Sequence, residues 1–577
     1  MNISDITIMC VYFALTLFIA LFFSKRAGRS SEDFFLSGRK LPWWIAGTTM
    51  VATTFGADTP LSVTELVAAS GIAGNWLWWN MAAGNILTVL FFSRLWRRAK
   101  IITDVEFIEI RYSGKPAAFL RGFKAIYLGL FMNAIIMGWV NVALAQILKI
   151  LFDIPDDQLL LYVFASMAVV GIYSAISGLW GVAYTDMFQF VVAMIGCIIL
   201  AVVIAGLPQV GGIAGLKEAL PANVFNFFPD VSFTPSTIAT GVLSISFSAF
   251  MAYIAIQWWA SWYPGSEPGG GGYIAQRIMS SKDEKHARLA TLWFTIAHYA
   301  VRPWPWIIVA LASLVLYPDL AADDKKAGFV LAMRDHLPAG LLGLLAAAFL
   351  AAYMSTISSH LNWGSSYLVN DLYRRFIKTG ADENHYVLIS RIATVFLVIV
   401  SGYISTFIQS ISGAWAFLIE CGAGLGLVLI LRWFWWRVNA WSEISAMIVP
   451  FIGIILNKIF FGLNFPESMF FIVAMTTVVW LAVTFLTAPE NAETLRSFYL
   501  MVKPGGPGWK KVSGINKPFT RAAIYGFLQW AAGIGLVYCS LFSVGRIVLG
   551  EYTVGFILAG CALALFFLIS LSFKYDD

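Results

Sequence analysis

Apolar runs of about 20 residues recur along almost the whole chain, separated by short polar stretches. Each is long enough to cross a bilayer as a helix, and lipid-exposed backbone must close its own hydrogen bonds, so the pattern predicts helices. The first run is near 6–23. Further runs fall at roughly 42–66, 73–97, 118–150, 159–178, 183–207, 236–263, 288–317, 339–371, 385–409, 412–436, 442–462, 467–487, 522–546 and 551–573. The expected architecture is an all-α polytopic membrane protein with about 15 transmembrane spans.

Two of these runs are interrupted. The run at 42–66 contains Ala52-Thr53-Thr54-Phe55-Gly56-Ala57-Asp58-Thr59-Pro60, a poor continuous helix. The run at 236–263 ends in Trp258-Trp259-Ala260-Ser261-Trp262-Tyr263-Pro264, followed by Gly265, Pro268 and Gly269–Gly272. These are the first spans of two five-span halves, and an odd number of spans inverts one half relative to the other. Paired broken helices in inverted halves point to a transporter's central site. The expected division is 1–41 as an N-terminal span and cytoplasmic loop and 42–207 as the first repeat. An extracellular loop at 208–235, a second repeat at 236–440 and four further spans at 441–577 complete it, with a cytoplasmic connector at 488–521.

Composition agrees. The 577 residues are 59% hydrophobic and 12% charged, with mean hydropathy +0.77. A soluble protein carries about 25% charged residues. With the N-terminus outside and the sides alternating, most of the 38 Lys and Arg residues fall on cytoplasmic segments. Lys25, Arg26 and Arg29 follow the first run and no basic residue precedes it, which argues for a retained span rather than a cleaved leader. The expectation is a multi-pass protein of the plasma or inner membrane, N-terminus outside and C-terminus cytoplasmic.

The five cysteines lie in apolar runs without disulfide or metal spacing, and no nucleotide-binding loop or nucleophile–base pair is visible. These readings exclude an enzyme and give no sign of a nucleic-acid or protein partner. A sensor is set aside because Asp577 follows closely on the last span. A passive channel fits poorly with two broken helices.

Hydroxyls gather in Leu345–Tyr373, at Ser355, Thr356, Ser358, Ser359, Ser365 and Ser366. Ala352, Ser355, Ser359 and Ser366 share a helical face. Two adjacent hydroxyls and a carbonyl offer a hard cation neutral oxygens in place of water. The plainer alternative is close helix packing, with hydroxyls bonded back to their own helix.

The chain from about 3 to 440 resembles the sodium:solute symporter family, its sodium–galactose branch in particular. The most specific piece is SSEDFFLSGRKLPWWIAG at 30–47. YSAISGLWGVAYTDMFQF (173–190), YIAQR (273–277) and GLVLILRWFWWRVNAWSEI (426–444) add to it. The resemblance implies a LeuT-like fold of inverted five-helix repeats with flanking helices, and sodium-coupled uptake of a small organic solute by alternating access. By motif matching it places the co-transported sodium ion on Ala52, Phe55, Ala352, Ser355 and Thr356, and Asp186 on the sodium exit path. Asp186 is alternatively a charge at a helix start.

The solute side departs from the sugar branch. Trp78 stands where that branch has a glutamate and Trp415 lies near the place of a glutamine. The gate region carries Trp258, Trp259, Trp262 and Tyr263, with an inserted Gly-rich segment. Thr59, Trp78, Trp258, Trp259, Arg302 and Trp415 are the candidate substrate residues. Tryptophans stack on sugar rings or cage amines, and are also common at membrane interfaces. Arg302, inside an apolar run beside His298, either clamps a substrate carboxylate, pairs with Asp58, Glu65 or Glu420, or snorkels. The solute is accordingly expected to be a sugar or sugar-like compound, or, with Arg302 as clamp, an amino acid, sugar acid or monocarboxylate.

Overall fold

The computed structural model describes residues 1–27, 36–101, 103–232, 244–514 and 519–576. Residues 30–35 of the most specific motif, 233–235 of the expected loop, 236–243 of the sixth core run and 515–518 of the connector lie outside the described residues.

Helices dominate, as the apolar pattern predicts, and the sheet present among the described residues is a short parallel pair, Asp230–Ser232 with Ser244–Ser246. Nine described helices are long and apolar enough to cross a membrane, or ten if a pair bent by 50° at Gly422–Gly424 counts as one span. Most other expected spans are present as shorter or broken pieces. The run at 42–66 is α1 (Trp43–Thr53) and α2 (Asp58–Ser70). One difference concerns 159–178 and 183–207, expected as two spans. Helical backbone is continuous over Asp156–Ala205, because the expected turn contains glycines but no proline.

The breaks have local causes. After α1, Thr54 Oγ1 donates to the Met50 and Val51 carbonyls, 3.2 and 2.9 Å, in place of a continuing ladder. Pro60 then supplies no amide to the first turn of α2, where the helix does not need one. In the sixth core run the helix ends at Ala260 and the next, α3 (Gly272–Ser280), starts after a buried irregular loop. Buried peptide groups must find partners. Here Trp96 Nε1 donates to the Gly269 carbonyl at 2.9 Å, and Gly270 N to the Glu267 carbonyl at 2.8 Å.

The third break was not foreseen. α4 (Ile411–Cys421) and α5 (Leu425–Phe434) meet at Gly422-Ala423-Gly424, where the backbone docks on the sixth-run loop. Gly424 N donates to the Ala260 carbonyl at 2.8 Å, and Trp262 N to the Gly422 carbonyl at 3.3 Å. Gly424 has φ +90°, and a β-carbon there would overlap Thr476. The signal was Glu-Cys-Gly-Ala-Gly-Leu-Gly in an otherwise apolar run.

The penultimate helix α6 (Phe519–Val548) packs across the core through tryptophan and tyrosine bonds to backbone. Trp530 Nε1 donates to Ala83 O at 2.9 Å and Tyr538 OH to Trp79 O at 3.0 Å. Trp304 Nε1 donates back to Leu541 O at 3.0 Å.

Candidate functional site

The first two breaks and the helix before the third border a central cavity of about 60 Å³. Thr54, Gly56, Asp58 and Thr59 reach it from the first break, Tyr263 and Pro264 from the second, and Trp415 from the helix before the third. The other walls bring Trp78, Trp139, Tyr273, His298, Arg302, Thr356 and His360.

Four of the six substrate candidates therefore meet there: Thr59, Trp78, Arg302 and Trp415. Trp258 and Trp259 do not border the cavity. Their indole nitrogens donate to the Ile254 and Ala255 carbonyls of their own helix, and the Trp258 ring packs on Trp530 at 5.1 Å. A widened turn at Ala252–Gln257 and the helix end at Ser261 set this register, so Tyr263 is the ring presented instead. Trp139, Tyr263 and Trp415 enclose one side, with the Trp139 and Tyr263 ring centroids 6.5 and 6.1 Å from Trp415. Sequence reasoning missed Trp139, which sits in an unbroken apolar helix without any marker of function.

Arg302 is buried at the joint of two helices. A widened turn over Ala297–Val301 closes with Arg302 N on the Ala297 carbonyl at 3.2 Å, and Pro303 then opens the next helix. Its guanidinium donates to the Val51 carbonyl at 3.3 Å and to Thr54 Oγ1 at 3.0 Å. It also lies 3.3 Å from His298 Nε2 and 5.4 Å from the Trp306 ring centroid. Among the described residues it forms no ion pair, and its Nε has no partner. Glu65 instead accepts from Ser410 and Ser412, and Glu420 accepts from Ser468. Asp58 remains in the cavity wall with Arg302.

Beside the cavity, the first break faces the eighth core helix, Leu341–Ser366. Thr356 Oγ1 is buried and has no partner among the described residues. A β-carbon built on Gly56 would stand 3.4 Å from that oxygen, an ordinary contact, and would overlap Asp58 Oδ1, so it is the Asp58 carboxyl that requires glycine at this break. Ser355, one residue earlier, donates to Asp186 Oδ1 at 2.6 Å, and Thr49 Oγ1 donates to Asp186 Oδ2 at 2.8 Å. Ala52, Phe55 and Ala352 are all buried, with Phe55 N on the Ala52 carbonyl at 3.0 Å and the Phe55 ring 6.1 Å from Phe349. The arrangement concentrates oxygens from two helices at an interrupted backbone and holds a mixed polar and aromatic cavity next to them.

Broken helices around a buried polar cavity, in a helical bundle with many apolar spans, define a secondary carrier. Residues 34–450 match the model of the sodium:solute symporter family. The chain belongs to that family: it is a multi-pass membrane symporter that moves a small solute with sodium, and it is not an enzyme. Among its relatives, the sodium/glucose cotransporter of Vibrio parahaemolyticus is 24% identical over 84% of this chain and 91% of its own. The sodium/sialic acid symporter SiaT of Proteus mirabilis is 26% identical over 79% of this chain and 89% of its own. A substrate-bound, outward-open Na+-coupled sialic acid symporter superposes with TM-score 0.67 at 22% identity, covering 85% of this chain and 99% of that one. The fold is thus the LeuT-like arrangement of inverted five-helix repeats with flanking helices.

Proposed function

We propose that the co-transported sodium ion binds between the first break and the eighth core helix, through the Ala52, Phe55 and Ala352 carbonyls and the Ser355 and Thr356 hydroxyls. The observation that carries this reading is the buried, unpartnered Thr356 oxygen against Gly56. A buried polar atom without a partner is costly, and a cation is a partner that oxygens from both helices can share. Asp186, bonded to Ser355 and to Thr49 of α1, lies beside this set and serves the ion's exit. The repeats are 42–207 and 236–440, flanked by 1–41, the loop 208–235 and 441–577.

The solute site is the central cavity, with Thr59, Trp78, Arg302 and Trp415 in its wall. The solute is a sugar or sugar-like compound. Support comes from the relatives named for glucose, mannose and myo-inositol and from rings that can stack on a sugar's apolar face. A carboxylate-bearing solute is the second reading, favoured by Arg302 in the cavity wall with an unpartnered Nε and by the relative named for sialic acid, a sugar acid. Thermal-shift screening of the purified protein with sugars, sugar acids, amino acids and polyols, with and without sodium, tests both. Sodium-dependent stabilisation by a neutral sugar supports the first reading. Stabilisation confined to carboxylates supports the second.

The protein resides in the plasma or inner membrane with its N-terminus outside and C-terminus inside, as supported by the bias of basic residues. With native cysteines replaced, a cysteine at Ala322 labels with an impermeant reagent in intact cells and one at Lys511 does not. Outside labelling at Lys511 would refute this orientation.

A further inference from the structure

The loop between Ala260 and α3 borders the central cavity. Tyr263 and Pro264 face the cavity, and Ser266–Gly271 are buried behind them. Inside this loop sits Glu267, 4% exposed. Its Oε2 accepts from Gly265 N at 3.1 Å, while Oε1 is buried and has no partner among the described residues.

Asp104, 7% exposed, meets the same stretch of backbone. Its Oδ2 accepts from Gly272 N at 3.1 Å and its Oδ1 from the Tyr367 hydroxyl. A β-carbon built on Gly272, at φ +53°, would stand 2.8 Å from Glu267 Oε1, and one built on Gly271 would stand 3.4 Å from Glu267 Cβ and 3.9 Å from Asp104 Oδ2. Two largely buried carboxyls therefore converge on one glycine-glycine peptide.

The cations around them are bonded to other groups. Tyr367 and Tyr273 are phenols. Lys124 is bonded to Glu443 at 2.8 Å, Arg432 is bonded to the same carboxylate at 3.0 Å, and Arg121 is bonded to Asp371 at 2.7 Å. Arg277 of α3 bonds Thr53, and Arg302 bonds Val51 and Thr54. Among the described residues no group of three or more Asp, Glu, His and Cys gathers that would hold a metal ion. Like-charged neighbours and burial both favour the neutral form of a carboxyl.

We propose that Glu267, with Asp104 beside it, is a proton-binding site: Glu267 carries a proton on its carboxyl while the loop is packed and releases it when the loop opens to water. On opening, the O–H bond of the carboxyl breaks, the proton passes to water, and the carboxylate is left solvated. Opening then becomes easier as the pH on the opening side rises, by up to about tenfold per pH unit between the open and packed pKa values. This ligand is distinct from sodium and independent of the solute's identity.

The test needs no solute. Infrared spectra of the full chain in phosphatidylcholine bilayers in heavy water are titrated from about pH 4 to about pH 9 around the ordinary glutamate value of about 4.3. The expected wild-type minus Glu267→Gln difference is a protonated-carboxyl carbonyl band that persists well above that value. In Asp104→Asn, where the neighbouring carboxyl is gone, the band is lost at a lower pH. Glutamine is an isostere of the protonated acid, so Glu267→Gln is expected to purify and melt like wild type. A difference spectrum without that band, a band replaced on adding sodium or potassium, or a Glu267→Gln chain that does not fold would each overturn the proposal.

Discussion

Ser355 donates a 2.6 Å hydrogen bond to Asp186, joining the eighth core helix to the long helix that also contacts α1 through Thr49. One hydroxyl of the proposed sodium set is thus tied to a carboxylate. The other, on Thr356, has no partner among the described residues. Ser355 gives its proton to Asp186 and keeps its oxygen lone pairs, so in the proposed set it can hold sodium and Asp186 at once and link the ion to both helices.

Removing the hydroxyls separates these roles. Hydrogen bonds to charged groups contribute about 1.5–3 kcal/mol, so Thr356→Ala is expected to weaken sodium about tenfold or more. Ser355→Ala is expected to weaken sodium as well, and it also removes the hydrogen bond to Asp186, so it lowers the melting temperature without sodium. Sodium titration of melting temperature without solute reads both. Unchanged sodium affinity in the double variant would remove the site from this position.

Arg302 bonds a carbonyl and a hydroxyl at the first break, so its loss is felt in the fold as well as in the cavity. Arg302→Gln is expected to lower the melting temperature, through at least one lost charged bond of about 1.5–3 kcal/mol. Arg302→Lys keeps the charge but not the fork, and lowers affinity for an anionic solute by about tenfold, about 1.4 kcal/mol. Lowered stability with unchanged affinity, measured by titration with the best ligand of the thermal-shift screen, would leave Arg302 as a brace for the broken helix and a neutral solute as cargo.

The tryptophans divide the same way. Trp258→Phe and Trp259→Phe are expected to leave solute affinity within about twofold, since neither ring reaches the cavity. Trp415→Leu removes a cavity wall and an indole N–H without a partner among the described residues, and affinity falls by about tenfold, about 1.4 kcal/mol. A large loss from Trp258→Phe would mean the sixth-run helix turns in the solute-bound state.

Away from the cavity, Glu443 holds Lys124, Arg432 and the Tyr112 hydroxyl at 2.8, 3.0 and 3.2 Å with no solvent access. Glu443→Gln strands two buried cations and is expected to cost about 3–5 kcal/mol. A clear fall in melting temperature and yield checks it, with Glu443→Asp restoring part. A variant as stable as wild type would show that water reaches the cluster.

Much of this was legible in the chain. The first break announced itself because glycine, aspartate and proline at membrane depth have no place in a plain span. Ser355-Thr356 stood out for the same reason, as hydroxyls in an alanine-rich helix. The third break was harder to see, because Gly422 and Gly424 differ from packing glycines only in what docks on them. The tandem tryptophans misled because which ring faces inward depends on a widened turn that composition does not mark. Trp139 acquires meaning from Tyr263 and Trp415, and Glu267 from Asp104, all more than 100 positions away in sequence, which no local pattern carries.

The bonds from Trp530 to Ala83, Tyr538 to Trp79 and Trp304 to Leu541 fasten α6 to two helices whose neighbouring residues, Trp78 and Arg302, form the cavity wall. Any displacement of that wall is carried to the outer surface of α6, where Tyr525 and Phe527 are exposed. A fluorophore placed there would watch the carrier's working cycle from outside, as a gauge needle reports a mechanism it does not touch.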